Sequence, residues 1–276
     1  DYRGCSVYCP APPCQGIQFL ITLNILEDLD IADLGHNTSE GLHHFLEAAK
    51  LAVADRIAYT GGDSPVSGLL SKDYAAQRRA LISDRAQSSG GETFTSTKLE
   101  GEAMPGDPYR FAKTECTTHF DVVDAEGNAV AVTQSLGSGF GSAMVVPGTG
   151  ITLNNFINWF DLDPASSNAI GPAKKNEMCM SPVQVWDEDG LRFLVGTPGS
   201  YGILQTTTQM ILNVIDHGLN IQAAIEAPRV KTAQGYTVTA ENRIDGDALA
   251  GLESKGHEIE LIGDWSMGVG GGQGIF

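Results

Sequence analysis

Positive charge is what this 276-residue sequence has least of: 17 Lys and Arg stand against 34 Asp and Glu, a formal net charge of −17. That balance offers no basic stripe to follow a phosphate backbone, so nucleic-acid binding is excluded as the main role. Long apolar runs are also missing, and nothing approaches the roughly 18–20 residues that a membrane-spanning helix needs. There is no phosphate-binding loop, no dinucleotide fingerprint and no internal repeat, and hence no sign of a cofactor. Cysteine is scarce and odd in number, so the five cannot all pair within one chain. Cys5, Cys9 and Cys14 cluster with spacings that invite a metal reading. No fourth ligand stands nearby, and Pro10, Pro12 and Pro13 make the segment an extended loop. Ordinary buried or free thiols, and no metal, are the expectation. The chain opens on Asp1 without a signal-peptide pattern, and something upstream is expected to be missing.

What is present describes a folded protein. Hydrophobic residues make up 42% and charged residues only 18%, too apolar for disorder. The length allows one large domain or two ordinary ones. The 33 glycines follow no collagen-like period and read as loops and tight turns.

The first third is predicted helical. Residues 17–27 form an apolar run with helical spacing. Asn37 and Glu40 have the spacing of a capping box, and Leu42, Phe45, Leu46, Ala49, Val53 and Ile57 follow as a stripe near period 3.6. A third helix is expected over 72–82. His43 and His44 are adjacent on the second helix and cannot share a face, so packing or solvated roles are expected of them. Residues 83–114 read as a loop about 30 residues long, uncommon inside a compact domain unless it has a function. Residues 119–124 and 129–133 then make a hairpin around Ala125-Glu126-Gly127-Asn128. A second hairpin, 183–186 with 191–195, turns at the solvated Asp187-Glu188-Asp189-Gly190. Helices over 202–216, 221–226 and 245–255 and strands over 236–240 and 258–262 complete the pattern. Hairpins with helices in blocks point to an α+β fold. Asn37-Thr38-Ser39 fits a glycosylation sequon, informative only in a secreted eukaryotic protein.

Thr117-Thr118 opens a strand directly after the long loop. A cut before Thr117 would leave a residue carrying nucleophile and base together: its hydroxyl attacks, and its α-amine, with an ordinary pKa of about 7.7–8.0, accepts the proton. Taken alone, a Thr-Thr pair at a strand start is what β-propensity produces.

The surrounding motifs carry more. Thr117-Thr118-His119-Phe120 with Val122-Val123-Asp124, Gly127-Asn128-Ala129-Val130 and Thr133 resembles the start of the small subunit of γ-glutamyltransferases. In family order follow Gly139-Phe140-Gly141-Ser142, Val146-Pro147-Gly148-Thr149-Gly150-Ile151, Leu153-Asn154-Asn155, Asn168-Ala169-Ile170-Gly171-Pro172, Met180-Ser181-Pro182, Gly196-Thr197-Pro198-Gly199 and Ala227-Pro228-Arg229. Upstream, Leu34-Gly35-His36-Asn37, Ala54-Asp55-Arg56 and Gly68-Leu69-Leu70-Ser71 resemble the end of the large subunit. The likeness covers nearly the whole chain.

That resemblance implies an N-terminal-nucleophile hydrolase with a four-layer αββα sandwich, made as a precursor that cuts itself. The scissile bond would be Cys116–Thr117. Residues 1–116 would then be the C-terminal part of the large subunit, and 117–276 a small subunit lacking its usual C-terminus. A processed heterodimer and a missing portion of the large subunit, including a carboxylate-binding arginine, are expected. Thr117 would be the nucleophile, and Ser135 aligns with a threonine whose hydroxyl contacts it. Gly199 and Ser200 align with the glycine pair of the oxyanion hole. Independently, Pro198-Gly199-Ser200 precedes a predicted helix, where free N–H groups suit developing negative charge; simple capping would explain the same residues.

Five positions depart from the family. Gly137 replaces an Asn, and Phe156 and Trp159 replace a Gln and an acidic residue, which together hold the α-amino group of a γ-glutamyl substrate. Met178 and Cys179 replace two serines that meet its α-carboxylate. An ammonium group is costly to bury without partners, so the catalytic parts are expected to persist with a more apolar pocket walled by Phe156, Trp159, Met178 and Cys179. The resemblance then implies an amidohydrolase or acyltransferase acting on a small-molecule amide, with water or an amine as acceptor and no cofactor. Oxamate amidohydrolase-like and cephalosporin-acylase-like proteins of the superfamily show such a split. True γ-glutamyl transfer or glutathione hydrolysis is the alternative, and a catalytically silent scaffold is another. The sequence leaves cytoplasm and periplasm both open.

Overall fold

The computed structural model describes residues 1–60, 64–90, 115–164, 166 and 168–276. After β1 (Ser6–Tyr8) come α1 (Ile17–Leu26), α2 (Ile31–Leu34), α3 (Ser39–Tyr59), α4 (Val66–Leu69) and α5 (Lys72–Arg79). α1 is buried on nearly all sides, as expected for an uncharged apolar helix held between α3, α5 and a later helix. α3 carries the predicted stripe, but its start differs from the expected capping box. Thr38, not Asn37, is the N-cap, its Oγ1 accepting from the Gly41 amide at 3.1 Å. Asn37 lies at φ +54 and donates to the Pro228 carbonyl, a long-range partner that outcompetes the local cap.

The second part supplies the sheets: β2 (Glu115–Val123), β3 (Ala129–Ser138), β4 (Val183–Asp187), β5 (Gly190–Gly196), α6 (Ile203–Ile215), α7 (Ile221–Glu226), β6 (Val230–Thr232), β7 (Thr237–Ala240), α8 (Gly246–Ser254), β8 (Glu258–Leu261) and β9 (Gln273–Ile275). Three sheets result: β1-β4-β5-β9, the hairpin β2-β3, and β6-β7-β8. β1 pairs with β4, so the first and last thirds of the chain share one sheet.

Strand alternation orders the layers. Val183, Val185, Phe193 and Val195 face the core cluster that holds α1, α3 and α6. Gly196 faces the other way, toward the β2–β3 hairpin: a Cβ there would come within 2.3 Å of His119 Cε1. The fold is therefore α+β, with helices, a four-stranded sheet and a strand pair stacked in that order.

α6 shows how polar residues enter the core. Gln205 and Gln209 sit one turn apart and serve β6 as a substitute strand. Gln209 bonds Val230 through both N–H and C=O at 3.0 and 2.7 Å, and Gln205 does the same for Thr232 at 2.8 and 3.2 Å. Buried amides of both kinds are thereby satisfied. No described helix is long and apolar enough to cross a membrane.

Candidate active site

The site is built on an irregularity in the hairpin. Glu115 pairs with Ser138 and Thr117 with Ser135, so two steps on β2 oppose three on β3. The extra residue makes a bulge at Leu136-Gly137, where Gly137 takes φ +91. Its effect is to gather three groups. The Thr117 hydroxyl donates to Ser135 Oγ at 3.0 Å, and the Gly137 amide donates to the same oxygen at 3.0 Å. β2 runs unbroken through Cys116 and Thr117, so the Thr117 nitrogen is here a peptide amide and not a base. The Cys116 side chain lies outside the described residues.

His119, two residues on and facing the same way, was given no role by sequence reasoning. It is buried, with Nδ1 2.8 Å from Thr133 Oγ1 and Nε2 3.1 Å from the Asp121 carboxylate. Both ring nitrogens are engaged, and the ring fills the space above Gly196, so it locks the hairpin onto the sheet. Adjacent alternation of polar residues on an otherwise apolar strand was the available signal.

Gly199 and Ser200 turn sharply ahead of α6. Gly199 has φ +137 and Ser200 φ +53; the latter is a left-handed conformation that costs a non-glycine residue about 1–2 kcal/mol. A short 3-10 turn, Ser200–Gly202, then leads into α6, whose N-terminus has no side-chain cap. Strain and uncapped N–H groups coincide, as in a preorganised anion cradle.

Phe156 and Trp159 form the two ends of a 3-10 turn and bridge these parts. The preceding Asn155 is tied to the bulge: its amide donates to Leu136 O at 3.0 Å and its Nδ2 to Ser138 Oγ at 2.6 Å. Its Oδ1 occupies the room a side chain at Gly137 would need, 2.2 Å from where a Cβ would stand. The Phe156 and Trp159 rings meet edge-to-face at 5.0 Å, and Trp159 stacks on Tyr201 at 5.4 Å and 23°. Tyr201, unnoticed in the sequence, is the residue after Ser200, and Arg56 lies 4.9 Å over its ring.

Met178 and Cys179, the other expected wall residues, follow a segment that anchors this turn. Asn176 and Glu177 bind the Phe156–Trp159 turn, the first through the Phe156 carbonyl and the second through Asn168. From there Met178, half-buried, pairs its backbone with Pro13 and Gln15 at 3.2 and 2.8 Å. Cys179 is 1% exposed and belongs to the core cluster. The structure thus brings together Thr117, Ser135, Gly137, Phe156 and Trp159, with Ser200 reached through Tyr201, and places Cys179 within the core.

Cys5, Cys9, Cys14 and Cys179 are free thiols. Burial pushes Cys9 up to about 12, and Cys14 also upward, with Cys14 Sγ 3.2 Å from Ser181 Oγ. A different donor set, His43, Glu47 and His257, is buried with all ligand atoms within 4.8 Å. These donors already serve one another and the chain. His43 Nδ1 is 2.9 Å from His257 Nε2, and Glu47 receives Lys50 Nζ at 2.8 Å and the Gln87 amide at 3.1 Å. Burial, helped by the Lys50 charge, pushes His257 down to about 3 and keeps it neutral.

Comparisons with known proteins agree on one family. The family model described as Gamma-glutamyltranspeptidase matches residues 1–276. The chain is 35% identical over 264 residues to an acylase ACY 1 proenzyme of Pseudomonas sp. strain SE83, covering 94% of this chain and 44% of that protein. It is 36% identical over 280 residues to the glutathione hydrolase proenzyme of Escherichia coli K12, covering 95% and 46%. Among solved structures, a cephalosporin acylase from Bacillus halodurans superposes with a TM-score of 0.84 at 32% identity, over 99% of this chain and 47% of that one. The chain spans less than half the length of each of these relatives.

Proposed function

The chain belongs to the gamma-glutamyltranspeptidase family, and from that premise we propose that it is part of a self-processing amidohydrolase or acyltransferase whose nucleophile is Thr117. The observation that carries this reading is the Thr117 Oγ1–Ser135 Oγ contact at 3.0 Å, placed by the Gly137 bulge beside the continuous Cys116–Thr117 bond. In processing, Thr117 Oγ1 attacks the Cys116 carbonyl, the acyl group passes from nitrogen to oxygen, and water resolves the ester. This divides the chain into 1–116 and 117–276 and frees the α-amine of Thr117. In turnover that amine takes the hydroxyl proton as Oγ1 adds to the substrate carbonyl. Ser135 orients Oγ1, and the N–H groups of Gly199 and Ser200 receive the oxyanion. Collapse expels the leaving amine, which takes the proton, and leaves an ester on Thr117. Water or a second amine then releases the acyl group.

The substrate in this reading is an amide with a less polar acyl group than γ-glutamyl. Support comes from Phe156 and Trp159, which present rings where a substrate ammonium would need hydrogen-bond acceptors. The acylase names among the relatives fit the same direction. A second reading, glutathione or γ-glutamyl hydrolysis, is favoured by relatives carrying that name. It requires the head group to be held by residues other than Gly137, Phe156 and Trp159.

Intact-mass analysis of the protein expressed from its complete reading frame tests the proposal. Two polypeptides, the smaller beginning at Thr117, are expected, and Thr117→Ala should stay one chain. A wild-type protein that remains uncut would sink the reading. Rapid turnover of a γ-glutamyl anilide, with slow turnover of simple acyl anilides, would favour the second reading over the first.

A further inference from the structure

Two parts of the site come from distant segments: the nucleophile hairpin, residues 115–138, and the strained turn at Gly199 and Ser200. One continuous run of aromatic rings joins them. At the hairpin end, Phe156 Cδ1 lies 3.6 Å from where a Gly137 Cβ would be, and Gly137 bonds Ser135, the partner of Thr117. At the other end Tyr201 is covalently next to Ser200. Trp159 connects the two, edge-to-face with Phe156 and stacked on Tyr201. The rings thus connect the neighbourhood of Thr117 to the residue that follows Ser200.

The far end of the run is fixed from inside the protein. Arg56 is fully buried; its Nε donates to Gln18 Oε1 at 2.6 Å and an Nη to Gln15 Oε1 at 3.1 Å. A guanidinium immobilised by two buried amides, lying over Tyr201, holds that ring by cation–π attraction in a place where water does not weaken it. Trp159 and Tyr201 are both half-buried, and the Tyr201 ring already carries Arg56 over it and Trp159 stacked on it, so Trp159 is the outer ring of the stack. A rigid, half-exposed aromatic pair binds flat apolar groups with little loss of side-chain entropy.

We propose that Trp159, backed by Tyr201, forms a stacking platform for the acyl part of the substrate, that Tyr201 and Arg56 are positioning residues that hold the indole in place, and that the preferred substrate class is an amide of a planar, uncharged acyl group such as an aryl-acyl amide. This rests on the Thr117 reading above and goes beyond it by naming the acyl chemistry and two residues, Tyr201 and Arg56, outside the expected pocket wall.

The test compares the anilides of phenylacetic acid and acetic acid, using the protein expressed from its complete reading frame. Wild type should prefer the phenylacetyl compound in kcat/KM. Tyr201→Leu should reduce that preference about tenfold or more, chiefly through KM, while the acetyl anilide changes far less. Tyr201→Phe, which keeps the ring, should restore the preference, and Arg56→Lys should lose part of it because the planar cation is gone. Trp159→Leu reads the same ratio while leaving every residue of the turn before α6 unchanged, so a misfolded Tyr201 variant would not end the test. An unchanged ratio in Tyr201→Leu and Trp159→Leu overturns the platform, as does a wild-type preference for the acetyl compound. A wild type that neither cuts itself nor hydrolyses either anilide overturns the Thr117 reading, and this inference with it.

Discussion

Two polar clusters lie in this protein, and they differ in how completely their groups are satisfied. The His43–Glu47–Lys50–His257 cluster, between α3, the end of α8 and residues 83–87, looks reactive by composition. Yet Glu47 receives two donors, His43 bonds at both nitrogens, and Lys50 also reaches the Gln87 carbonyl at 2.7 Å. Such a network clamps backbone to helix. The Thr117–Ser135 pair is modest by composition but sits half-buried on a bulge, with a left-handed serine at the turn that completes the proposed site. Apart from His257 Nδ1, which is buried without a hydrogen-bond partner, the first cluster is satisfied within the chain and reads as structural; local strain with partial exposure suits the second to the proposed chemistry.

The comparison is broken most decisively at Thr117. Thr117→Ala should abolish self-cleavage and amide hydrolysis together, whereas Thr117→Ser should retain both at lower rates; time-resolved intact mass and anilide turnover report them. Ser135→Ala removes the oxygen that both Thr117 and Gly137 approach. Cleavage should slow about a hundredfold, the scale expected when a reacting group is misplaced by about an ångström. Ser135→Thr should largely preserve the rate. Gly137→Ala places a carbon 2.2 Å from Asn155 Oδ1 in a backbone conformation that disfavours side chains. It should lower stability by about 1–3 kcal/mol in chemical denaturation. The same obstacle means that Gly137→Asn alone will not restore a γ-glutamyl pocket.

The smallest expected effect tests the structural cluster. His257 is depressed in the folded protein to about 3, well below its ordinary value of 6.5. Above about pH 6.5 the ring is neutral in folded and unfolded chains alike, and the shift has no effect. Between 6.5 and 3 only the unfolded chain takes up the proton, so this residue makes the fold less stable as pH falls. His257→Gln should flatten the decline in urea midpoint between pH 7.5 and pH 5. Catalytic selectivity between the two anilides should not move, and if it did, the separation drawn between the two clusters would fail.

Much of the fold was legible in the residues. The long stripe in α3, both hairpins and the α6 region stand where periodicity and turn chemistry put them. The short strands β1, β6 and β9 did not announce themselves, because three residues carry no period. β6 depends on glutamines of α6 for half of its hydrogen bonding, which no local pattern encodes. At the site, Thr117, Ser135 and the Gly199-Ser200 turn could be nominated from motif order. Tyr201, Arg56 and His119 could not, since each takes its role from what it touches: a ring, a buried pair of amides, and the empty side-chain space of Gly196.

By itself the sequence determined the family and the α+β class, nominated the Cys116–Thr117 bond as the point of cleavage, and showed rings at Phe156 and Trp159 where the family has polar residues. These follow from residue identity and order, which survive without coordinates. Only the tertiary structure decided that Thr38 caps α3, that the bulge at Gly137 brings Thr117 to Ser135, that Cys179 lies in the core, and that Phe156, Trp159 and Tyr201 make one run of rings. Those outcomes depend on packing between segments far apart in the chain. There, burial and hydrogen-bond completion override local preference.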